Sequence, residues 1–320
     1  MPKAVALYSG GLDSLLSILV VKQQQIEISA FKFLTGFVSP LQEEDLLLAD
    51  RFGFELKEMD VREKFINILK NPKHGYGKNL NPCIDCKIIM LKEAKELMNA
   101  YKASFVITGE VVSQRPMSQK KDILIHIEKE ASLAGLIVRP LSAKLLPPSK
   151  PEIEGILDRE SLYDIWGRGR KAQINLAYEF GLKKLPQPSG GCLLTDPLFC
   201  KKVRDLIEHE ELTVENAELL KTGRHFRLSQ KCKAIVGRDE RENEILLNSK
   251  KGKLIYPFDF KGPVILILND CSQEDMDKAC AIGVYYSKKK ENLMVIQDRE
   301  KRTEKNYKAI DKEEILKYRI

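Results

Sequence analysis

Ala4-Val5-Ala6-Leu7-Tyr8-Ser9-Gly10-Gly11-Leu12-Asp13-Ser14 decides the fold. A short apolar run meets a Ser/Gly turn. Apolar residues then recur at Leu12, Leu15, Leu16, Leu19 and Val20, which is helical spacing. The stretch therefore predicts strand, tight turn and helix. Such a turn leaves the first backbone N–H groups of the helix unpaired at the positive end of its dipole. That arrangement, with two hydroxyls beside it, binds phosphate. The stretch contains neither the GxxxxGK(S/T) pattern of a Walker loop nor the GxGxxG of a dinucleotide turn.

The same alternation continues through the first half. Further strands are predicted at 27–34, 55–59, 104–108 and 136–140, and helices at 41–52, 61–69, 86–101 and 123–134. Repeated βα units predict a mainly parallel sheet with helices on both faces, an α/β fold that binds ligands at the C-terminal strand ends. LLPPSKP at 145–151 breaks the pattern, a helix follows at 170–180, and LPQPSGGC at 185–192 reads as an irregular loop. Near residue 205 the character changes. A helix at 202–209 leads to strand-like segments at 226–228, 234–236, 253–256, 264–268 and 293–297, with helical patterning at 239–247 and 274–282. The expected domains are therefore 1–205 and a smaller α+β module at 206–320.

Composition bounds the function. The chain has 320 residues, 43% hydrophobic and 31% charged, as in a soluble globular protein. No apolar run approaches the roughly 20 residues of a membrane span. The glycine turn arrives too soon for a secretory leader, so the expected location is cytoplasmic. Net charge is +7, and residues 201–320 carry 26 Lys+Arg against 22 Asp+Glu. The excess is spread out, so any RNA contact must come from folded patches.

Seven cysteines, Cys83, Cys86, Cys192, Cys200, Cys232, Cys271 and Cys280, are an odd number and argue against a disulfide framework. Asn81-Pro82-Cys83-Ile84-Asp85-Cys86 places a CxxC just before the helix predicted from Lys87. There the dipole favours thiolate, the form that metal binding and sulfur transfer require. No second CxxC exists to complete a four-thiolate zinc site. Cys192 stands apart, behind Pro188-Ser189-Gly190-Gly191. Cys200, Cys232, Cys271 and Cys280 sit among apolar residues and read as buried small hydrophobes.

SGGLDS resembles the PP-loop of the ATP pyrophosphatase superfamily, whose fold is of the adenine nucleotide alpha hydrolase-like (HUP) type. Its members split ATP between the α- and β-phosphates and adenylate a substrate. SGGLDS together with NPCxxC and a distant GGC resembles the tRNA thiouridine synthetases, several of which hold a 4Fe–4S cluster through three cysteines. That resemblance implies ATP on Ser9, Gly10, Gly11 and Ser14, and cluster ligation by Cys83, Cys86 and Cys192. It implies sulfur from sulfide or a cysteine desulfurase, and a tRNA uridine as substrate, 4-thiouridine being favoured over 2-thiouridine. Asp13 either orients the loop or helps hold Mg²⁺. Thr108-Gly109-Glu110 followed by Gln114-Arg115 resembles the nucleotide-lining segment of 4-thiouridine synthetases, with Gly109 and Glu110 at the adenylate and Arg115 on phosphate. Phe33 either flanks adenine or packs in the core. Arg168, Arg170 and Lys171, around two glycines, suit a phosphate of ATP or tRNA, or simply a solvated helix start.

In the second module Thr222-Gly223-Arg224-His225-Phe226-Arg227 interleaves cations with an aromatic and a histidine, which suits RNA. The segment resembles the RNA-binding domain of NFACT proteins, and implies RNA contacts at Arg224, His225 and Arg227. Lys288-Lys289-Lys290 extends this basic face or forms a solvated hairpin tip. The chain starts at the first strand, without the THUMP domain of many 4-thiouridine synthetases, so tRNA binding is expected from the C-terminal module. A homodimer sharing tRNA is compatible with this. Other readings stay open: a persulfide relay on Cys192 with one cysteine of the CxxC, structural zinc, or a non-catalytic RNA-binding protein that senses nucleotide. A small-molecule amidotransferase is disfavoured by the cysteines.

Overall fold

The computed structural model describes residues 1–186, 191–249, 251–298 and 301–320. The chain divides into two compact units, Met1–Asp196 and Pro197–Ile320. The boundary read from sequence, 205/206, falls inside helix Pro197–Glu208, which lies wholly in the second unit. That helix carries the acidic partner of two strand cations, as described below.

The first unit runs β1 (Lys3–Leu7), α1 (Leu12–Lys22), β2 (Glu27–Leu34), α2 (Glu43–Phe52), β3 (Glu55–Asp60), α3 (Arg62–Lys70), α4 (Cys83–Ala100), β4 (Phe105–Thr108), α5 (Lys121–Glu130), β5 (Ile137–Val138), α6 (Lys150–Ile153) and α7 (Lys171–Glu179). The five strands form one parallel sheet in the order β3-β2-β1-β4-β5. Strand alternation sorts the core onto two faces. Ala4, Ala6, Ile28 and Ala30 face α1 and α7, and the small side chains let α1 pack close. Val5, Leu7, Phe31 and Phe33 face α4 with Ile88, Leu91 and Leu97. The strand order reverses between β1 and β4, so their C-terminal ends open the crevice where such sheets bind ligands.

The second unit runs α8 (Pro197–Glu208), α9 (Val214–Leu219), β6 (Arg224–Ser229), β7 (Cys232–Val236), α10 (Glu240–Leu247), β8 (Lys253–Pro257), β9 (Ile265–Leu268), α11 (Gln273–Tyr286), β10 (Glu291–Asp298), β11 (Lys301–Lys308) and α12 (Lys312–Tyr318). Its sheet is antiparallel, in the order β11-β10-β8-β9-β7-β6. α11 covers one face through Met276, Ala279 and Cys280, while Leu246 of α10 packs on Ile235, Leu266 and Leu268 of the other.

One cysteine expectation is corrected here. Cys232 and Cys271 form a disulfide, with Cα atoms 4.9 Å apart. β7 pairs β9 with Lys233 opposite Leu268, which brings Cys232 to the residues that follow β9. Cys200 and Cys280 are buried, as expected. No described helix is long and apolar enough to cross a membrane.

Candidate functional site

The Ser9–Ser14 turn folds on its own hydroxyls. Ser14 Oγ accepts from Ser9 N (3.2 Å) and donates to Gly11 O (2.8 Å), and the Ser9 and Ser14 hydroxyls lie 3.1 Å apart. Gly10 has φ +79°, a left-handed conformation that glycine adopts at little cost. Gly11 caps α1 with no side-chain bond to its first turn. By contrast Asp239 and Ser272 cap α10 and α11 through their side chains. The first-turn N–H groups of α1 are thus left to a ligand.

Below the turn lies a residue that sequence reasoning passed over. Lys32 is buried at the end of β2, with Nζ 3.0 Å from Asp45 and 3.1 Å from Pro40 O. Tyr8 OH donates to the same Asp45 at 2.8 Å. A Cβ on Gly10 would lie 3.2 Å from Lys32 Nζ, so this buried cation underlies the phosphate turn. A lysine between Phe31 and Phe33 in an apolar strand is the signal that marks it. Phe33 itself is 5% exposed in the α4-side core, the packing alternative of its two readings.

Gly109 joins the turn to β4. A Cβ there would lie 2.5 Å from Ser14 N and 2.7 Å from the Asp13 carbonyl carbon. Only glycine permits that approach. Asp13 accepts from Gln114 Nε2 at 3.1 Å, while its Oδ1 is buried with no partner among the described residues. Burial raises the Asp13 carboxyl above its usual value, against the pull of the Gln114 hydrogen bond and the Arg170 and Arg115 charges. An orphaned carboxylate oxygen beside a phosphate turn fits a Mg²⁺ ligand. Arg170 and Gln173 reach this place because α7 packs with α1. Arg168 and Lys171 are exposed.

Glu110 is not at the open crevice. It is 1% exposed, and accepts from Arg139 Nε (3.0 Å) and Thr108 Oγ1 (3.1 Å), with Lys87 Nζ at 3.6 Å. Burial opposes its charge, but the Lys87 and Arg139 cations outweigh that and hold its carboxyl low. Its role is to tie α4 to the end of β4.

The CxxC lies inside α4, which begins at Cys83, rather than before a helix starting at Lys87. Asn81 Nδ2 lies 3.1 Å from Cys83 Sγ. The lowered thiol pKa expected of a helix end is not found at Cys86. Burial first, then the neighbouring Cys192, push this thiol up to about 12, with Cys83 adding to the effect. The three cysteines therefore stand close enough for each charge to oppose another. Such a donor set suits a cationic metal group that neutralises three thiolates, and fits the cluster. Residues 187–190, the first part of the PSGG run before Cys192, lie outside the described residues. Leu193 N donates to Phe37 O at 3.0 Å and Asn79 Nδ2 donates to Thr195 O at 2.7 Å, which anchor the Cys192 segment to the loops after β2 and before α4. A continuous path, from Cys86 to Lys87, Glu110, Gly109 and Ser14, puts thiols and phosphate turn on one sheet edge.

In the second unit His225 and Arg227, both expected at RNA, point inward. His225 is 1% exposed, with Nε2 2.9 Å from Thr222 O, and burial holds its pKa well below the usual value. It is a neutral core histidine. Arg227 is bidentate to both Asp205 (2.7 and 2.9 Å) and Glu211 (2.9 Å each). The inward position of both follows from alternation in β6, and Arg227 meets Asp205 of α8 and Glu211 in the segment after it. Arg224 is half-buried over the Tyr286 ring at 4.5 Å. Other cations of the unit are exposed, among them Lys288–Lys290 and Lys301, Arg302, Lys305 and Lys308 of β11. The Ala309 N–Lys290 O bond brings the lysine turn beside Lys308 at the open end of the β10–β11 hairpin, while Lys301 and Arg302 lie at its turn end, opposite Asp298 and Gln297.

A parallel five-stranded sheet thus carries Ser9–Ser14 at its switch point, and a separate antiparallel module follows it in the chain. Residues 223–319 match the family model described as the NFACT protein RNA binding domain. No curated protein matches the chain. Among solved structures, the chain is similar to a predicted subunit of tRNA methyltransferase from Methanocaldococcus jannaschii, at 17% identity over 56% of this chain and 76% of that one, TM-score 0.36. It is similar to a 4-thiouridine synthetase solved with RNA and bound ATP, at 20% identity over 68% of this chain and 53% of that one, TM-score 0.36. An NH3-dependent NAD synthetase from Campylobacter jejuni matches at 14% identity over 68% and 82%, TM-score 0.34. The chain spans about half the length of the 4-thiouridine synthetase.

Proposed function

We propose that the protein is an ATP-dependent tRNA sulfurtransferase that adenylates a uridine and replaces its carbonyl oxygen by sulfur. The observation that supports this reading is the C-terminal end of β1 and β4, where the Ser9–Ser14 turn meets Gly109, together with Cys86 and the nearby Cys83 and Cys192 whose charges bear on it. The α1 first-turn N–H groups and the Ser9 and Ser14 hydroxyls bind the ATP phosphates. Asp13 holds Mg²⁺ through its unpartnered oxygen, and Arg170 and Arg115 neutralise phosphate charge from the α7 and β4 sides. The uridine carbonyl oxygen attacks the α-phosphorus and pyrophosphate leaves. Adenylation converts that oxygen into a good leaving group, so sulfur can replace it as AMP departs. When bound by Cys83, Cys86 and Cys192, an iron–sulfur cluster would supply nucleophilic sulfur. tRNA is held by the second unit through the exposed cations of β11 and the preceding lysine turn, with the uridine leaving its stack to react.

Asp13→Asn tests the nucleotide half of this reading. It keeps size and hydrogen bonding but removes the charge that holds Mg²⁺. tRNA-dependent pyrophosphate release should fall by about 100-fold or more, on the order of an electrostatic transition-state contact, while the tRNA dissociation constant stays within a few-fold. Undiminished release would remove Asp13 from the mechanism.

A further inference from the structure

Two of the chain's four histidines meet with no role assigned to them above. His74 Nε2 lies 3.1 Å from His126 Nε2, and His126 Nε2 lies 4.0 Å from Glu130 Oε1. One ligand atom from each of His74, His126 and Glu130 lies within 4.8 Å of the others, and all three side chains are partly open to solvent. We propose that His74, His126 and Glu130 bind a zinc-class divalent cation that fastens the loop before α4 to α5.

His126 and Glu130 stand at i and i+4 on α5, so one helix face presents both. His74 comes from the loop. Its Nδ1 is 2.8 Å from Asp85 Oδ1, and its backbone N donates to Asp85 Oδ2 at 3.0 Å. Asp85 is buried, and its carboxylate accepts from His74 Nδ1–H, which leaves Nε2 as a bare lone pair facing His126 and Glu130. This is the carboxylate–histidine–metal arrangement, in which a second carboxylate sets tautomer and ring orientation. Without metal, His126 Nε2–H fills the gap by donating to His74. Binding requires only that His126 carry its proton on Nδ1 instead.

Zinc–nitrogen bonds of about 2.0–2.1 Å put tetrahedral ligand pairs about 3.3–3.4 Å apart. The two imidazoles already stand near that spacing, and Glu130 needs a small rotation. Two imidazoles and one carboxylate select zinc, cobalt or nickel over magnesium or calcium, which prefer oxygen. Lys73 Nζ, at 2.7 and 2.9 Å from the two Glu130 oxygens, can stay on Oε2 when Oε1 turns to the ion. Water completes the fourth position. Since Asp85 sits between Cys83 and Cys86, the cation stiffens the segment that carries both thiols. The site does not depend on the sulfur-transfer reading.

Cobalt(II) is the probe, added to the full chain carrying Cys83→Ser, Cys86→Ser and Cys192→Ser. One cobalt per chain should bind, with visible d–d bands of nitrogen and oxygen ligation and no thiolate charge-transfer band. His126→Ala in that background should weaken binding about 100-fold or more, and Asp85→Asn about 10- to 100-fold. The thermal midpoint should rise with cobalt in the parent and not in His126→Ala, which also shows that the variant is folded. Absence of stoichiometric cobalt in the triple-serine protein, or equal affinity in folded His126→Ala, would overturn the assignment.

Discussion

Gly109→Ala should abolish ATP turnover in a protein that still folds. The added Cβ would lie 2.5 Å from Ser14 N and 2.6 Å from Ser14 Cα, both backbone atoms of the first turn of α1. No side-chain rotation relieves such a contact, so β4 and the phosphate turn must separate. Overpacking of this kind costs about 1–3 kcal/mol of stability, which a two-unit chain of this size can absorb. Catalysis has less tolerance, because displacement of a catalytic group by about 1 Å can cost on the order of 100-fold in rate. Pyrophosphate release with tRNA and Mg-ATP, measured beside far-UV circular dichroism, checks both halves. Wild-type turnover in the variant would mean that the β4 end does not brace the turn.

The largest stability effect is expected in the second unit, at Asp205. This carboxylate on α8 pairs with Arg227 and with Lys233, whose side chain is 0% exposed. Burial alone would raise the Asp205 carboxyl, but hydrogen bonds from Arg227 and the charge of Lys233 outweigh it and hold it below the usual range. Asp205→Ala leaves Lys233 buried without its counter-charge, a loss of about 3–5 kcal/mol. Asp205→Asn should lose less, since it keeps an acceptor. The sign of the pH dependence follows from the depressed value. The stabilisation is complete above the ordinary carboxylate range near 3.9 and is lost as pH falls through the lower folded value. Urea unfolding at neutral and acidic pH should therefore show the gap between wild type and Asp205→Ala narrowing in acid. A gap that is small at neutral pH would show that the network does not stabilise α8 against the sheet.

The first unit was legible because its signals are local. The apolar run, the Ser/Gly turn and the helical spacing coincide in one short stretch, and β2 was read to its final residues, Glu27–Leu34. Failures arose where tertiary pairing overrides local character. β11, Lys-Arg-Thr-Glu-Lys-Asn-Tyr-Lys, has no apolar alternation and was missed. It is a strand because it pairs with β10 along its length, setting Lys308 opposite Glu291 and Lys301 opposite Asp298. His225 and Arg227 looked like RNA contacts by composition. Their burial is set by Thr222, Asp205 and Glu211, whose proximity no spacing rule reveals. The start of α4 was read three residues late, at Cys86, because Pro82 and the asparagines masked a helix that opens on Cys83. His74 and His126 lie 52 positions apart, so their meeting follows from the packing of α4 on α5. The Cys232–Cys271 bond likewise follows from β7–β9 pairing across 39 residues.

In the proposed reaction, ATP activation and sulfur delivery meet on a tRNA uridine at the C-terminal end of the parallel sheet. It is tested most directly by anaerobic reconstitution of the full chain with iron and sulfide, followed by incubation with Mg-ATP, sulfide and unmodified tRNA. Digested nucleosides are then analysed by mass spectrometry. Formation of a thiouridine that depends on ATP and is lost in Cys192→Ala is the predicted result. Unmodified tRNA after reconstitution, with the cluster formed and ATP bound, would contradict it.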